Sequence, residues 1–251
     1  MPIETRMRTP FAPALDLPPP FRLVTLREVG DAFARAQTIA AAEGAGTLVW
    51  VGRFDLVEFA VVLEPDEPLR AARRAFYAGM AALADALAAH APPEKPIAFD
   101  WPDAIRVDGG LVGGGRLAWP ADAREDQTPP WLVFGATVRT VAMSSGEPGL
   151  RPLEAALEDE GFDDLGSGRL VESFARHLMV ATDAWQESGF GVVAESYLAR
   201  LPAQESVERM IDGAGDLLVR RQGEADVKKH RLLPALATPS WLDPRTGGPK
   251  R

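Results

Sequence analysis

The stretch "FDWPDAIRVDGGLVGGGRLAWP", residues 99–120, decides how this chain is read. It holds an aromatic–proline corner at Trp101-Pro102, a short charged strand and the turn Asp108-Gly109-Gly110. Three consecutive glycines, Gly113, Gly114 and Gly115, then fall inside a second strand-like run. Asp-Gly between two β-rich runs is a strong hairpin signal. Glycine in a strand interior weakens the strand, and marks either a bulge or the close approach of a ligand or another backbone. Both readings stand on these residues alone.

Outward from this hairpin, the pattern upstream alternates strand and helix. Residues 21–26 read as a strand, and 28–43 as a helix with Val29, Ala32, Phe33, Ala36, Ile39 and Ala40 at helical spacing. Gly44-Ala45-Gly46 stops that helix. Residues 47–52 and 56–63 are two β-rich runs joined through Arg53-Phe54-Asp55, and a helix is predicted over 68–90 with a stripe of Phe76, Met80, Leu83 and Leu87. Downstream, 121–130 is polar and disordered-looking, and 131–142 is a strand. Helices are predicted near 151–160, 168–188 and 190–201. Two or three short strands around glycine turns follow, then a proline- and glycine-rich tail. Strands arriving in hairpins with helices between them imply an α+β fold with a mixed, largely antiparallel sheet. The expected organisation is a leader over 1–20, a main domain over 21–202, a small all-β domain over 203–237 and an extended tail over 238–251.

Composition removes several classes of function. The formal net charge of −9 argues against a nucleic-acid partner, whose phosphates demand a basic footprint. There is no cysteine, hence no disulfide framework, thiolate metal site or cysteine nucleophile. No apolar run is long enough to cross a bilayer, and the proline-broken N-terminus lacks a signal-type apolar core, so cytoplasmic residence is the default expectation. Lysine occurs only at Lys95, Lys228, Lys229 and Lys250, so no lysine chemistry is available between 95 and 228. Neither a phosphate-loop signature nor HExxH occurs, and His90, His177 and His230 have no metal-ligand spacing. No metal site is expected. Gly166-Ser167-Gly168 reads as a loop and cap before a helix.

The segment Asp100-Trp101-Pro102-Asp103, its hairpin and Leu111-Val112-Gly113-Gly114 resemble the central motif of the biotin and lipoate protein ligases. That motif runs Lys-Trp-Pro-Asn-Asp, a hairpin, then Lys-Leu-Ala-Gly. Colinear likenesses surround it: "GTLVW" and "FAVVLEP" resemble the two strands after the family's arginine- and glycine-rich nucleotide loop, and "WLVFGATV" resembles its later strand. Residues 153–185 resemble the closing helices, and "MIDGAGDLLVRRQG" the small SH3-like barrel of the bacterial enzymes. The likeness covers roughly residues 21–225.

It implies a class II synthetase-like α+β catalytic domain with a C-terminal SH3-like barrel. The implied activity is ATP-dependent activation of a small carboxylic acid (biotin, lipoate or octanoate) and its transfer to a lysine of a biotinyl or lipoyl carrier domain. ATP with Mg²⁺ and a homodimer are compatible with it. Residues implied to hold the acid are Trp101, Asp103, Gly113, Gly114, Gly115 and Arg116, the glycines forming an open floor for a flat cofactor. Those implied for the nucleotide are Gly44, Gly46, Trp50 and Arg53. No catalytic residue is assigned, because Asp100 and Gly110 stand where the family has its two motif lysines. The alternative reading is a catalytically degenerate binder of the same acids.

Overall fold

The computed structural model describes residues 15–142, 155–162 and 165–250. Its elements in chain order are β1 (Arg22–Leu26), α1 (Ala32–Glu43), β2 (Thr47–Val51), β3 (Leu56–Leu63), α2 (Leu69–Ala72), α3 (Ala75–Ala88), β4 (Ile97–Asp100) and β5 (Ala104–Val107). Then come β6 (Gly110–Ala118), β7 (Leu132–Arg139), α4 (Ser167–Ser188), α5 (Gly191–Leu198), β8 (Val207–Ile211), β9 (Leu217–Arg221), β10 (Val227–His230) and α6 (Leu232–Leu236). β1 to β7 form one mixed sheet in the order β1-β2-β3-β7-β6-β5-β4, and β10-β9-β8 form a separate antiparallel sheet. Only β1 and β2 of the large sheet run parallel, with α1 as the crossover that parallel neighbours require. The α+β reading with a mixed sheet is what the chain adopts, and the three-stranded sheet stands where the small all-β domain is expected.

Local chemistry accounts for the elements. The Asp31 side chain caps α1 by accepting from the Ala34 N–H at 2.8 Å, and Gly44, at φ 75°, ends it. The helix starts four residues later than the spacing predicts, so Val29 lies outside it and is 98% exposed. The predicted 68–90 helix is two helices, α2 and α3, broken at Arg73 and Arg74. There the Arg73 side chain turns inward to an ion pair with Glu125. That ion pair, with backbone bonds from Leu69 to Gln127 and from Arg70 to Glu125, holds 121–130 against α2. This stretch is a fastened turn region and not the disordered segment its composition suggests. Of the helix predicted over 151–160, residues 151–154 lie outside the described residues, and 157–161 are turns.

Helices cover both faces of the large sheet. α3 and α4 pack against one face, and their core includes Phe59, Phe76, Phe134, Phe174 and Leu178. α1 covers the other face over β2, β3 and β7, with Ala32, Ala36, Ala40, Val49, Ala60, Val62 and Val133. The small sheet is fastened to the main body: Tyr77 Oη donates to the Gly215 carbonyl at 2.7 Å, and Ile211, Leu217 and Leu232 join the main core. The tail does not extend away as expected. Trp241 is 1% exposed, Leu242 bridges Pro249, and residues 240–250 fold back onto the large sheet.

Candidate functional site

The register of the large sheet sets the site. Val51, Glu58, Thr137, Gly114 and Ala104 form one row across β2, β3, β7, β6 and β5. Directly paired residues of antiparallel strands point to the same side. Glu58, Thr137 and Gly114 therefore share the α1-facing side, with Glu58 and Gly114 about 10 Å apart across two strand spacings. Arg116, two residues beyond Gly114, faces the same way and pairs with Gly135. A Cβ on Gly135 would sit 2.4 Å from the Phe33 ring, so its absence lets Phe33 reach the sheet. There the Phe33 ring centroid lies 4.4 Å from the Arg116 guanidinium carbon.

Three polar side chains are thus packed on a largely apolar face. Glu58 is 7% exposed and accepts from the Ala32 N–H at 2.9 Å, at the N-terminus of α1 where a carboxylate is favoured. Burial still pushes its carboxyl up, and the Asp31 charge adds to that; the Ala32 bond and the charges of Arg116 and Arg53 oppose it. Burial pushes the Arg116 guanidinium down, against the pull of Asp31 and Glu58. Arg116 has no ion pair with a described residue, and its Nε has no hydrogen-bond acceptor. The buried Thr137 Oγ1 also lacks a partner. Buried polar groups left unmade are costly and uncommon; two lie on this face, and Trp50 Nε1 and Arg73 Nε are two more away from it.

The glycine run lies against this face. Next to Gly113 the β5–β6 register shifts, with Ile105 opposite Gly113 and Arg106 opposite Leu111, so the bulge reading is realised. A Cβ on Gly113 would meet the Thr137 carbonyl at 2.0 Å, and one on Gly115 the Met80 sulfur at 2.6 Å from the opposite side. On Gly114 it would meet the Asp103 carbonyl at 2.0 Å and the Trp241 ring at 2.4 Å. The floor expected to be open is covered by Trp241, whose Nε1 donates to the Gly115 carbonyl at 3.1 Å. Asp103, 1% exposed, holds the preceding residue. The Ser240 backbone N–H reaches Oδ2 at 2.8 Å and its hydroxyl reaches Oδ1 at 2.5 Å. Burial pushes the Asp103 carboxyl up, and these two bonds pull it part of the way back.

The remaining expected site residues are not gathered here. Trp101 turns to the other side, its Nε1 donating to Tyr77 Oη at 3.2 Å and its ring meeting His230. Trp50 is buried in the α3–α4 core. Gly44 and Gly46 lie at the start of β2, with Gly46 donating to Val62, whereas Arg53 follows the end of β2. About 20 Å of extended chain separates the two ends. Arg53 is held by Asp55 through two bonds of 2.9 and 2.7 Å, and that carboxylate lies below its usual range because of them. Asp100, in the place of the first motif lysine, accepts from Arg106 Nε at 2.7 Å. Among the described residues no group of three or more His, Cys, Asp or Glu is placed to hold a metal ion, and no helix is long and apolar enough to cross a membrane.

Sequence reasoning missed Glu58, Thr137 and Trp241. Glu58 was signalled by a lone charge inside the apolar run "LVEFAVVL", and Trp241 by a lone tryptophan in a polar tail; Thr137 had no signal of its own.

Comparison with solved structures places this arrangement. A biotin protein ligase-like protein of unknown function from Silicibacter sp. TM1040 superposes with a TM-score of 0.75 at 27% identity, over 90% of this chain and 100% of that one. The biotin protein ligase from Aquifex aeolicus, solved with biotin and ATP, gives a TM-score of 0.60 at 13% identity over 83% and 98%. That from Leishmania major, with biotinyl-5-AMP, gives 0.53 at 16% over 84% and 98%. At such identities the last two speak for the fold alone. No curated protein matches the chain. The model of the biotin/lipoate A/B protein ligase family matches residues 17–199, and with the shared fold it settles membership: the chain belongs to that family.

Proposed function

We propose that this protein is a non-adenylating member of its family that binds a small carboxylic acid, of the biotin, lipoate or octanoate kind, on the α1-facing side of the sheet. The observation that carries the reading is Arg116. It is a half-buried guanidinium with no carboxylate partner among the described residues, directly after the glycine run and on the same side of the sheet as an unpartnered Thr137 hydroxyl. An incoming carboxylate would supply the charge-assisted partner that Arg116 lacks, and the fork geometry suits two parallel bonds. Thr137 would offer a hydroxyl to the same ligand.

The residues do not fit a triphosphate. Asp100 and Gly110 occupy the positions of the two motif lysines, and an anion at Asp100 opposes a phosphate where a lysine would attract it. At about 4 Å and an effective dielectric near 20, each such charge pair is worth roughly 4 kcal/mol before screening. Arg106 and Arg53, the cations beside the motif and beside the nucleotide loop, are already bound to Asp100 and Asp55. Without these charges the build-up of negative charge in acyl-adenylate formation has little to stabilise it.

Isothermal titration of the full chain with biotin, lipoate, octanoate and ATP tests the reading. One acid is expected to bind without nucleotide, and Arg116→Met to weaken it tenfold or more. ATP binding that is required for acid binding would overturn the proposal.

A further inference from the structure

The small sheet turns one face to the main body across a cleft of about 620 Å³, a volume within the range that small-molecule sites occupy. One wall is the edge of the large sheet at Phe99, Asp100 and Trp101, with Leu201 beside it. The other wall is the small sheet, and its register decides which side chains enter. Ile211, Leu217 and His230 form the innermost row across β8, β9 and β10, and Arg209, Val219 and Lys228 form the next. Val207 and Arg221 continue that face outward, with Glu224 and Asp226 at its rim. At the inner end the Trp101 indole, whose Nε1 bonds away to Tyr77, meets the His230 ring edge-on at 5.7 Å.

Strand alternation divides two dibasic pairs between the faces of this sheet. Of Arg220-Arg221, Arg220 points outward and binds Glu208; of Lys228-Lys229, Lys229 points outward and binds Asp212 and Asp216 at 2.7 and 2.9 Å. Arg221 and Lys228 point into the cleft and have no carboxylate partner among the described residues. Nor has Arg209, which gives one bond to the Pro202 carbonyl at 2.8 Å. Asp100, the acid of the opposite wall, is held by Arg106 at 2.7 Å. Glu224 and Asp226 are the unpaired acids, and they sit farther out than Arg209 and Lys228. Those two cations flank Val219, about 10 Å apart across two strand spacings, and both stems are long enough to converge over it.

We propose that this cleft is a second binding site, distinct from the α1-facing side, for a small organic anion: a carboxylate, phosphate or sulfonate on a flat or aliphatic body. The charged group lies between Arg209 and Lys228, which supply charge-assisted bonds, and the body rests on Trp101, Leu201 and Leu217. A formal net charge of −9 repels anions from the chain as a whole, so attraction here comes from the local cations. The site stands on the geometry of the cleft and owes nothing to Arg116.

Fluorescence titration of the full chain with anilinonaphthalene sulfonate, a flat anion, and with phenylnaphthylamine, the same rings without the charge, tests this. The sulfonate is expected to saturate a single site and to bind more tightly than the amine. Arg209→Gln and Lys228→Gln should each weaken it about threefold, and together about tenfold. Arg220→Gln and Lys229→Gln remove the same charge from the outer face and should leave binding unchanged, whereas Glu224→Gln should tighten it. Every variant is checked for its unfolding midpoint in urea. Equal losses from inner and outer substitutions, an amine that binds as tightly as the sulfonate, or no saturable binding of the sulfonate overturns the cleft site. Arg116→Met should leave sulfonate binding unchanged; its loss in that variant would move the sulfonate to the α1-facing side and overturn the cleft site. The acid-binding reading is decided separately, by biotin, lipoate and octanoate with the same Arg116 variant.

Discussion

Under α3 and α4 the large sheet carries aromatic rings packed on one another: Phe59 against Phe174 at 4.5 Å, Phe134 against Phe174 at 5.8 Å and Phe76 against Phe134 at 6.1 Å. Under α1 and the C-terminal segment the same strands carry Glu58, Thr137 and Arg116 among glycines and small apolar residues. Alternation along each strand generates both faces from one stretch of sequence, since Phe134 and Gly135, or Glu58 and Phe59, are chain neighbours. The first face spends its side chains on burial, the largest favourable term in folding. Buried polar atoms without a partner among the described residues occur on both, Trp50 Nε1 on the first and Thr137 Oγ1 and Arg116 Nε on the second, and the second adds the charged Glu58 and Arg116 side chains. The proposed acid site thus lies on the opposite side of the sheet from the aromatic core.

Substitutions can break that separation or sharpen it. Phe134→Ala, on the aromatic face, should have the largest effect: about 3–5 kcal/mol of stability lost in chemical denaturation, as for other fully buried aromatics. Gly114→Val, on the other face, should cost about 1–3 kcal/mol through overpacking against the Asp103 carbonyl and Trp241. Its signature should be faster hydrogen exchange of residues 240–250 relative to the aromatic core. Glu58→Gln should act chiefly through pH. Its raised native value means that the folded chain holds this proton more readily than the unfolded one, so stability falls as pH rises from the ordinary carboxylate range through that value. The glutamine variant should lose this part of the slope in a series of denaturation curves, while its side-chain oxygen keeps the Ala32 bond. Arg53→Ala should do least. It removes a partly exposed ion pair with Asp55, worth about 0.2–1 kcal/mol, and should leave acid binding unchanged.

The aromatic face was largely legible in the sequence. The stripe Phe76, Met80, Leu83 and Leu87 is buried as its spacing predicts. The Asp108-Gly109 turn has positive φ at both residues, 47° and 84°, which the dipeptide favours. These signals are local. The other face depends on contacts between residues far apart in the chain, such as Ser240 with Asp103 and Trp241 with Gly115, which no local pattern encodes. The glycines could be read as space, but not whether a ligand or a tryptophan fills it. Helix periodicity also could not show that Arg73 would turn inward to Glu125 and divide the long predicted helix.

The central claim is that this chain keeps the ligase sheet and its acid-facing side but has lost nucleotide chemistry. Pyrophosphate release on mixing the full chain with ATP, Mg²⁺ and each of biotin, lipoate and octanoate tests it most directly, run in parallel on Trp241→Ala so that the indole over Gly114 cannot account for silence. The account predicts no acid-dependent pyrophosphate from either protein. Release of even one equivalent per chain, dependent on one of the acids, would contradict it.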